Sequence, residues 1–345
     1  MKKIIYLMGC MFLTHVSWSQ DLYVGATGVV RIAPTAFVYA GAEVSIIGGG
    51  DVTIDSNANN SASFLAPNTA TAIGDITYKR YINDDNWHLV SAPVANQTIG
   101  DFVEVAAGNA VAISINNNHA LAYYKNTNAA GSRWTYHNTV NQGPVYQENL
   151  TGSNFNTGQG YSMKKTAAGD YTFTGAMANA DVSVTIPTTA DEGHLWTAIG
   201  NPFPSFLTVG DILPVNSNAL DATFNFLYVQ DGESYVPAVS TVQLAPGQAF
   251  MVRAKANGLQ FTFSKALQKH NSGLAAIYRP STATPTISIH LTNGTLNKSA
   301  NLEFLDSSTT GLDVGYDAGA YQDGTPSFSI NTHLVSDSQG IDFTR

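Results

Sequence analysis

Apolar and polar positions alternate along this chain in short runs, and no segment carries sustained helical periodicity. The runs are rich in Val, Ile, Thr, Tyr and Phe and are broken by Gly, Asn, Asp and Pro, the grammar of strands and turns. From residue 22 to 54 five such runs (22–24, 29–32, 36–39, 43–47 and 51–54) follow one another about every seven residues. This spacing predicts stacked rungs of a small β-solenoid, or else a tight meander. Residues 57–71 are small and polar and read as a linker or long loop.

Residues 74–275 carry an internal duplication, with units at about 75–187 and 190–275. Trp87 and Trp196 each stand six residues before a proline, Pro93 and Pro202. Thr98-Ile99-Gly100-Asp101-Phe102 then answers Thr208-Val209-Gly210-Asp211-Ile212, and Gly158-Gln159-Gly160-Tyr161 answers Gly247-Gln248-Ala249-Phe250. Gly169 and Gly258 follow, and Tyr171-Thr172-Phe173 and Phe261-Thr262-Phe263 close the copies. Each unit is expected to supply a strand opening on Trp, a helical start at Thr-x-Gly-Asp and a hairpin (121–136; 224–236, turning at Asp231-Gly232). A Gly-Gln strand and an aromatic strand complete it. Trp87 and Trp196 are expected in the core. The two units could pack as one sandwich or sit side by side. Residues 264–270 read as a short helix capped by Ser264. Residues 280–345 form a third β module with strands at 286–291, 300–305 and 327–334. Its few strands suggest a truncated chain. The expected class is therefore all-β: a solenoid-like N-terminal segment (20–73), duplicated antiparallel sandwich-like units and an incomplete C-terminal module.

Residues 1–19 have the form of a secretory leader: Lys2 and Lys3, an apolar stretch, then Ser17 and Ser19 at the small positions of a cleavage site. The sole cysteine, Cys10, lies inside it, so a cleaved chain has neither disulfide nor thiolate chemistry. Charged residues are 12% of the chain and the formal net charge of −9 becomes two units more negative once Lys2 and Lys3 depart. With no basic cluster, nucleic acid and anionic membrane surfaces are poor partners, and no membrane insertion is expected.

Several segments resemble a family of large secreted proteins from bacteria that use type IX secretion. They are Trp87-His88-Leu89-Val90-Ser91-Ala92-Pro93, Ile199-Gly200-Asn201-Pro202-Phe203-Pro204-Ser205 and Ala245-Pro246-Gly247-Gln248-Ala249-Phe250, with 310–319 and 329–335. The resemblance covers roughly residues 80–345. It implies passage through that secretion machinery and surface attachment or release, in a Gram-negative bacterium. It brings no catalytic residue, and the C-terminal sorting domain of that family does not follow Arg345.

Standard catalytic signatures are missing, and the histidines at 88, 119, 137, 194, 270, 290 and 333 show no ligand spacing. Asp84-Asp85 and Asp191-Glu192 precede the Trp strand in both copies and read as turn residues, with acid/base work on a glycoside as the rival reading. Asp306, Asp313 and Asp317 form a Gly-spaced acidic loop that could hold a structural calcium. No other cofactor is implied. Tyr123, Tyr124, Trp134 and Tyr136 lie on or beside the first hairpin and could stack on sugar faces, with cross-strand packing as the plainer role. The expected function is a non-catalytic secreted or surface protein in adhesion, matrix or display, partnered by an extracellular glycan or another surface protein. A carbohydrate-binding module and a glycoside hydrolase or lyase are the alternatives.

Overall fold

A computed structural model describes residues 4–6, 21–68, 71–104, 107–112, 118–129, 131–139, 147–186, 195–231, 234–271, 286–295, 297–304, 308–313, 317–321, 328–336 and 341–343. The fold is all-β: strands in several separate sheets predominate over a few short helices.

The five N-terminal runs are strands, and they stack in parallel. Leu22–Val24 lies beside Val44–Ile46, and Val29–Ile32 beside Asp51–Ile54, with register partners 22 residues apart (Leu22 with Val44, Val29 with Asp51). Parallel in-register stacking at a fixed repeat is solenoid geometry, because each rung's inward positions then fall on those of the next. Ile32, Ile54 and Tyr78 form one such buried ladder. Ile4–Tyr6 also pairs in parallel, against Val29–Ile32.

The described part of residues 57–71 is not a linker. It contains the strand Ser63–Leu65, which pairs in parallel with Phe37–Tyr39, and Phe64 is fully buried. The small residues are there for packing: Ala62, Ser63 and Ala66 are fully buried as well. At the segment's start an asparagine turns the chain, Asn57 Oδ1 accepting the N–H groups of Asn59 and Asn60.

The solenoid runs without a break into the first unit. Its last strand, Asp75–Ile82, pairs in parallel with Asp51–Ile54 on one edge and antiparallel with Gly169–Ala176 on the other. One hydrophobic cluster accordingly extends from Val24 through Tyr78 to Met177.

Both units have the same topology. In the first, Trp87–Val90, Tyr161–Lys164 and the hairpin Asn118–Tyr124/Trp134–Asn138 form an antiparallel sheet in that order. In the second, Trp196–Gly200, Ala249–Arg253 and Tyr228–Asp231/Ser234–Pro237 repeat it. A two-stranded ladder lies over each sheet: Asp75–Ile82 with Gly169–Ala176, and Val182–Ile186 with Leu259–Phe263. The aromatic strands face inward: Phe173 packs on Phe102 of the helix and on Phe155, which meets Tyr161 of the sheet, and Phe261 and Phe263 each pack on Phe250 of theirs. Each unit is thus a small two-layer sandwich.

A matched feature ties the layers together. The Thr-x-Gly-Asp segments start the helices Ile99–Val103 and Val209–Asn216. After each comes a buried asparagine whose carboxamide bridges the helix and the middle of the aromatic strand. Asn109 donates to Phe102 C=O (2.9 Å) and accepts from Thr172 N–H (2.7 Å). Asn216 donates to Ile212 C=O (2.8 Å) and accepts from Thr262 N–H (2.7 Å).

The units then meet through a reciprocal seam. Ser91 N–H donates to Gly247 C=O (2.8 Å), and its counterpart Gly200 N–H donates to Gly158 C=O (2.9 Å). Val90 opposes Gln248 while Ile199 opposes Gln159. The solenoid also reaches the second unit: Phe64 N–H donates to Pro204 C=O, and the Arg80 guanidinium to Pro246 C=O.

Three further expectations are corrected. Residues 264–270 hold only the 3-10 turn Lys265–Leu267. Ser264 does not cap it; Asp181 does, accepting from Lys265 N–H at 2.8 Å. Lys269 and His270 are drawn instead toward Phe206 and Ser63. The described part of 327–334 makes a single bridge, Thr332 with Phe343, rather than a strand. Trp196 is fully buried, but Trp87 is half-buried, edge-on to Tyr136. The strands read at 286–291 and 300–305 are Thr286–Thr292 and Asn297–Glu303, and they pair with each other antiparallel. Gly232 of the second hairpin turn lies outside the described residues.

A Cβ on Gly200 would sit 2.5 Å from that of Ser91 and 2.9 Å from that of Ala249. Gly200→Val is therefore expected to lower unfolding free energy by about 1–3 kcal/mol through overpacking. Gly152, whose added Cβ would meet nothing, should accept alanine with no comparable loss; urea unfolding measures both. Asn216→Ala leaves Thr262 N–H buried without its acceptor and is expected to cost about 1–3 kcal/mol in the same assay.

Candidate functional site

The seam leaves an open groove of about 540 Å³ where the first unit's hairpin overhangs the second unit. This volume suits a small-molecule or saccharide-sized ligand. Asn118–Tyr124 and the residues following it form one wall, and Val182–Ile186 and Trp196–Gly200 form the other. Alternation along Val182–Ile186 sends Ser183 and Thr185 outward.

The lining is mostly neutral and hydrogen-bonding, and neighbours hold it in place. Ser183 Oγ and Thr262 Oγ1 are 2.9 Å apart, Gln260 Nε2 donates to Thr185 Oγ1 at 2.6 Å, and Asn156 Nδ2 donates to Gln159 Oε1 at 2.7 Å. Tyr123 is half-buried and its hydroxyl donates to Glu148 Oε2 at 2.5 Å. Burial, then the Glu148 carboxylate, push the Tyr123 phenol well above its ordinary pKa. Lys125 Nζ stands 4.0 Å from the same carboxylate.

Of the four aromatic candidates, the groove takes Tyr123 and Tyr124. Tyr124 is buried, edge-on to Trp134 at 5.1 Å. Trp134 and Tyr136 share a strand face, as alternation requires, yet Tyr136 packs edge-on to Trp87. Neither belongs to the groove lining, and no coplanar pair forms among these four.

The acidic loop uses its carboxylates locally. Asp313 accepts from Thr309 N–H (2.6 Å) and Thr309 Oγ1 (2.9 Å), and Asp317 accepts from Asp313 N–H (2.7 Å). Asp306 lies outside the described residues, and no group of three metal-ligating side chains gathers among those described. Asp84 accepts from Asn86 N–H and pairs with His88, both at 2.8 Å, a turn arrangement; Asp191 and Glu192 lie outside the described residues.

Two histidines far apart in sequence do meet. His119 and His137 stack at 4.9 Å on the first hairpin. Leu150 N–H donates to His137 Nδ1 (3.1 Å), placing the neutral proton on Nε2, which is buried without a partner, as is His119 Nδ1. Burial, and then the neighbouring His119, push His137 down to about 4.

This geometry defines an all-β protein built of a solenoid fused to duplicated sandwiches. The chain belongs to the family described as a domain of unknown function, DUF8693, which matches residues 11–234: the solenoid, the first unit and much of the second. No curated protein and no solved structure is detectably similar to it.

The groove's polar wall was not legible in the sequence, because Ser183, Thr185, Asn156 and Gln159 come from distant segments that only the seam brings together. The Gly158-Gln159-Gly160 repeat was the one available signal.

Because the folded His137 pKa lies below the ordinary unfolded value of about 6.5, its contribution to stability is complete above that pH. It is lost as pH falls from about 6.5 toward 4. His137→Gln is expected to flatten this part of the stability–pH profile, read as urea midpoint against pH.

Proposed function

We propose that this chain is a non-catalytic exported protein that works at the cell surface or in the extracellular matrix, in adhesion or display, and that the inter-unit groove is its binding surface. The leader-like residues 1–19 and the resemblance of residues 80–345 to type IX secreted proteins support export. The observation that carries the binding role is the groove's chemistry: hydroxyls and carboxamides pre-set by their neighbours beside a half-buried tyrosine. Such a lining matches the dense, uncharged donor and acceptor array of a sugar, and a tyrosine edge supplies apolar contact for the ring's C–H face.

A glycan is therefore the favoured ligand class. The secreted chain, titrated with soluble plant, fungal and bacterial oligosaccharides, is expected to bind one of them saturably and release no new reducing ends. Tyr123→Ala should weaken that binding about tenfold, the equivalent of ~1.4 kcal/mol. Product release would contradict the non-catalytic reading, and binding unaffected by Tyr123→Ala would contradict the groove.

A further inference from the structure

Charge is distributed unevenly between the two copies of the hairpin. Residues 105–169, which contain the groove's first wall, carry one acidic side chain, Glu148, against four basic ones, Lys125, Arg133, Lys164 and Lys165. The whole chain has the opposite balance, 25 acidic to 16 basic. Two of those cations stand at the open end of the first hairpin, where Lys125 N–H donates to Arg133 C=O at 2.7 Å. Ala122 and Tyr228 hold the same place in the two copies. Each pairs with the third residue after its glutamine landmark, Ser162 after Gln159 and Met251 after Gln248. Three residues further on, Lys125 answers Asp231. Across the hairpin, Arg133 and Ser234 correspond, each one residue before the strand partner of Tyr124 or Gln230. The cationic end therefore belongs to the copy whose hairpin overhangs the groove.

Among the described residues lining the groove, Lys125 alone is charged. Its side chain and that of Glu148 are each 45% exposed, and Nζ stands 4.0 Å from Glu148 Oε2, longer than a hydrogen bond. A solvated pair at that separation holds the ammonium weakly. The same Oε2 accepts the Tyr123 hydroxyl at 2.5 Å, so the carboxylate's tighter partner is the phenol. Tyr123 and Lys125 are two residues apart and both reach toward Glu148. Ring and ammonium thus share one face of the hairpin, with about 6–7 Å of strand between them. A sugar ring lying against Tyr123 can set an acidic substituent at Lys125, while the hydroxyls of Ser183, Thr185 and Thr197 on the opposite wall meet its neutral oxygens.

We infer that the groove takes an acidic saccharide, with a carboxylate or sulfate ester at Lys125 Nζ and the sugar ring against Tyr123. This rests on the glycan reading above and names the class of glycan. The ligand's acid group takes over as the closer partner of Lys125, in a charge-assisted hydrogen bond of about 2.7–2.9 Å, where Glu148 stands off at 4.0 Å. Glu148 stays with the Tyr123 hydroxyl and keeps the ring in place. A chain of net charge −9 repels anions over most of its surface, so a cation confined to the groove directs an acidic sugar there.

The test is titration calorimetry of the full chain with hexamers of galacturonate, mannuronate and glucuronate, each beside its methyl ester. A sulfated galactan hexamer beside its desulfated form separates sulfate from carboxylate, and chitohexaose serves as a neutral control. In one of these pairs the acidic form should bind about fivefold more tightly, the scale of one exposed ion pair. In 1 M NaCl, where the screening length is about 3 Å, that difference should vanish. Lys125→Gln should remove the preference and Lys125→Arg should keep it. Glu148→Gln should tighten binding of the acidic form, because it removes the competing charge while its amide oxygen still accepts from Tyr123. Acidic forms that bind no better than neutral ones, or a preference that survives Lys125→Gln, overturn the acidic class but not the glycan reading. Failure of every sugar overturns both, and binding of hexaglutamate by a chain that binds no sugar assigns the groove to acidic peptides instead.

Discussion

Two strands that each begin on a tryptophan meet the glycine–glutamine turn of the other's unit, and the rest of the molecule is arranged around that exchange. Ser91 N–H to Gly247 C=O and Gly200 N–H to Gly158 C=O are related by an approximate two-fold operation inside one chain. Main-chain groups can pair this way only if the backbones approach closely, which is why small residues gather there: Ser91 against Gly200, and Gly160 against Ala249. The seam is short, but it fixes the relative position of two sandwiches whose own cores are built from separate phenylalanine clusters.

Position at the seam has consequences on both sides of it. On one side Trp196, Tyr228 and Phe224 form a third, shared cluster with Leu89 and Tyr124. The C-terminal segment covers it, with Tyr321 edge-on to Trp196 at 4.8 Å and Gly319 C=O accepting from the Tyr228 hydroxyl. On the other side the first hairpin overhangs the second unit and creates the groove. The solenoid adds a further brace through Phe64 N–H to Pro204 C=O and Arg80 to Pro246 C=O. A chain with a single cysteine, Cys10, can form no internal disulfide and depends on such backbone pairing and burial for rigidity.

Much of this architecture was legible in the residue pattern, for physical reasons. Period-two alternation and punctuating glycines mark strands wherever one face is buried, so the five solenoid strands and both hairpins stood out. The landmarks of the repeat were readable because each has a fixed steric or capping duty. Gly100 and Gly210, for example, let the helix start approach Thr151 and Ser240. What stayed hidden was long-range. Composition makes residues 57–71 resemble a linker, although Phe64 is fully buried, because small polar residues pack as well against a neighbouring unit as they solvate a loop. The asparagine clamps sit differently with respect to their helices, Asn109 beyond its helix and seven residues after Phe102, Asn216 at the end of its own and four after Ile212, which obscured their equivalence. Of the candidate aromatics, Tyr123 and Tyr124 reached the groove while Trp134 and Tyr136 did not, a distinction set by the seam rather than by the strand's own alternation.

The dependence of the whole molecule on a reciprocal seam is most directly tested by differential scanning calorimetry of the chain. If the seam couples the units, heat unfolds solenoid and both sandwiches in one transition whose calorimetric and van't Hoff enthalpies agree. Two resolved transitions, or a calorimetric enthalpy well above the van't Hoff value, would mean that the units unfold independently and would contradict the account.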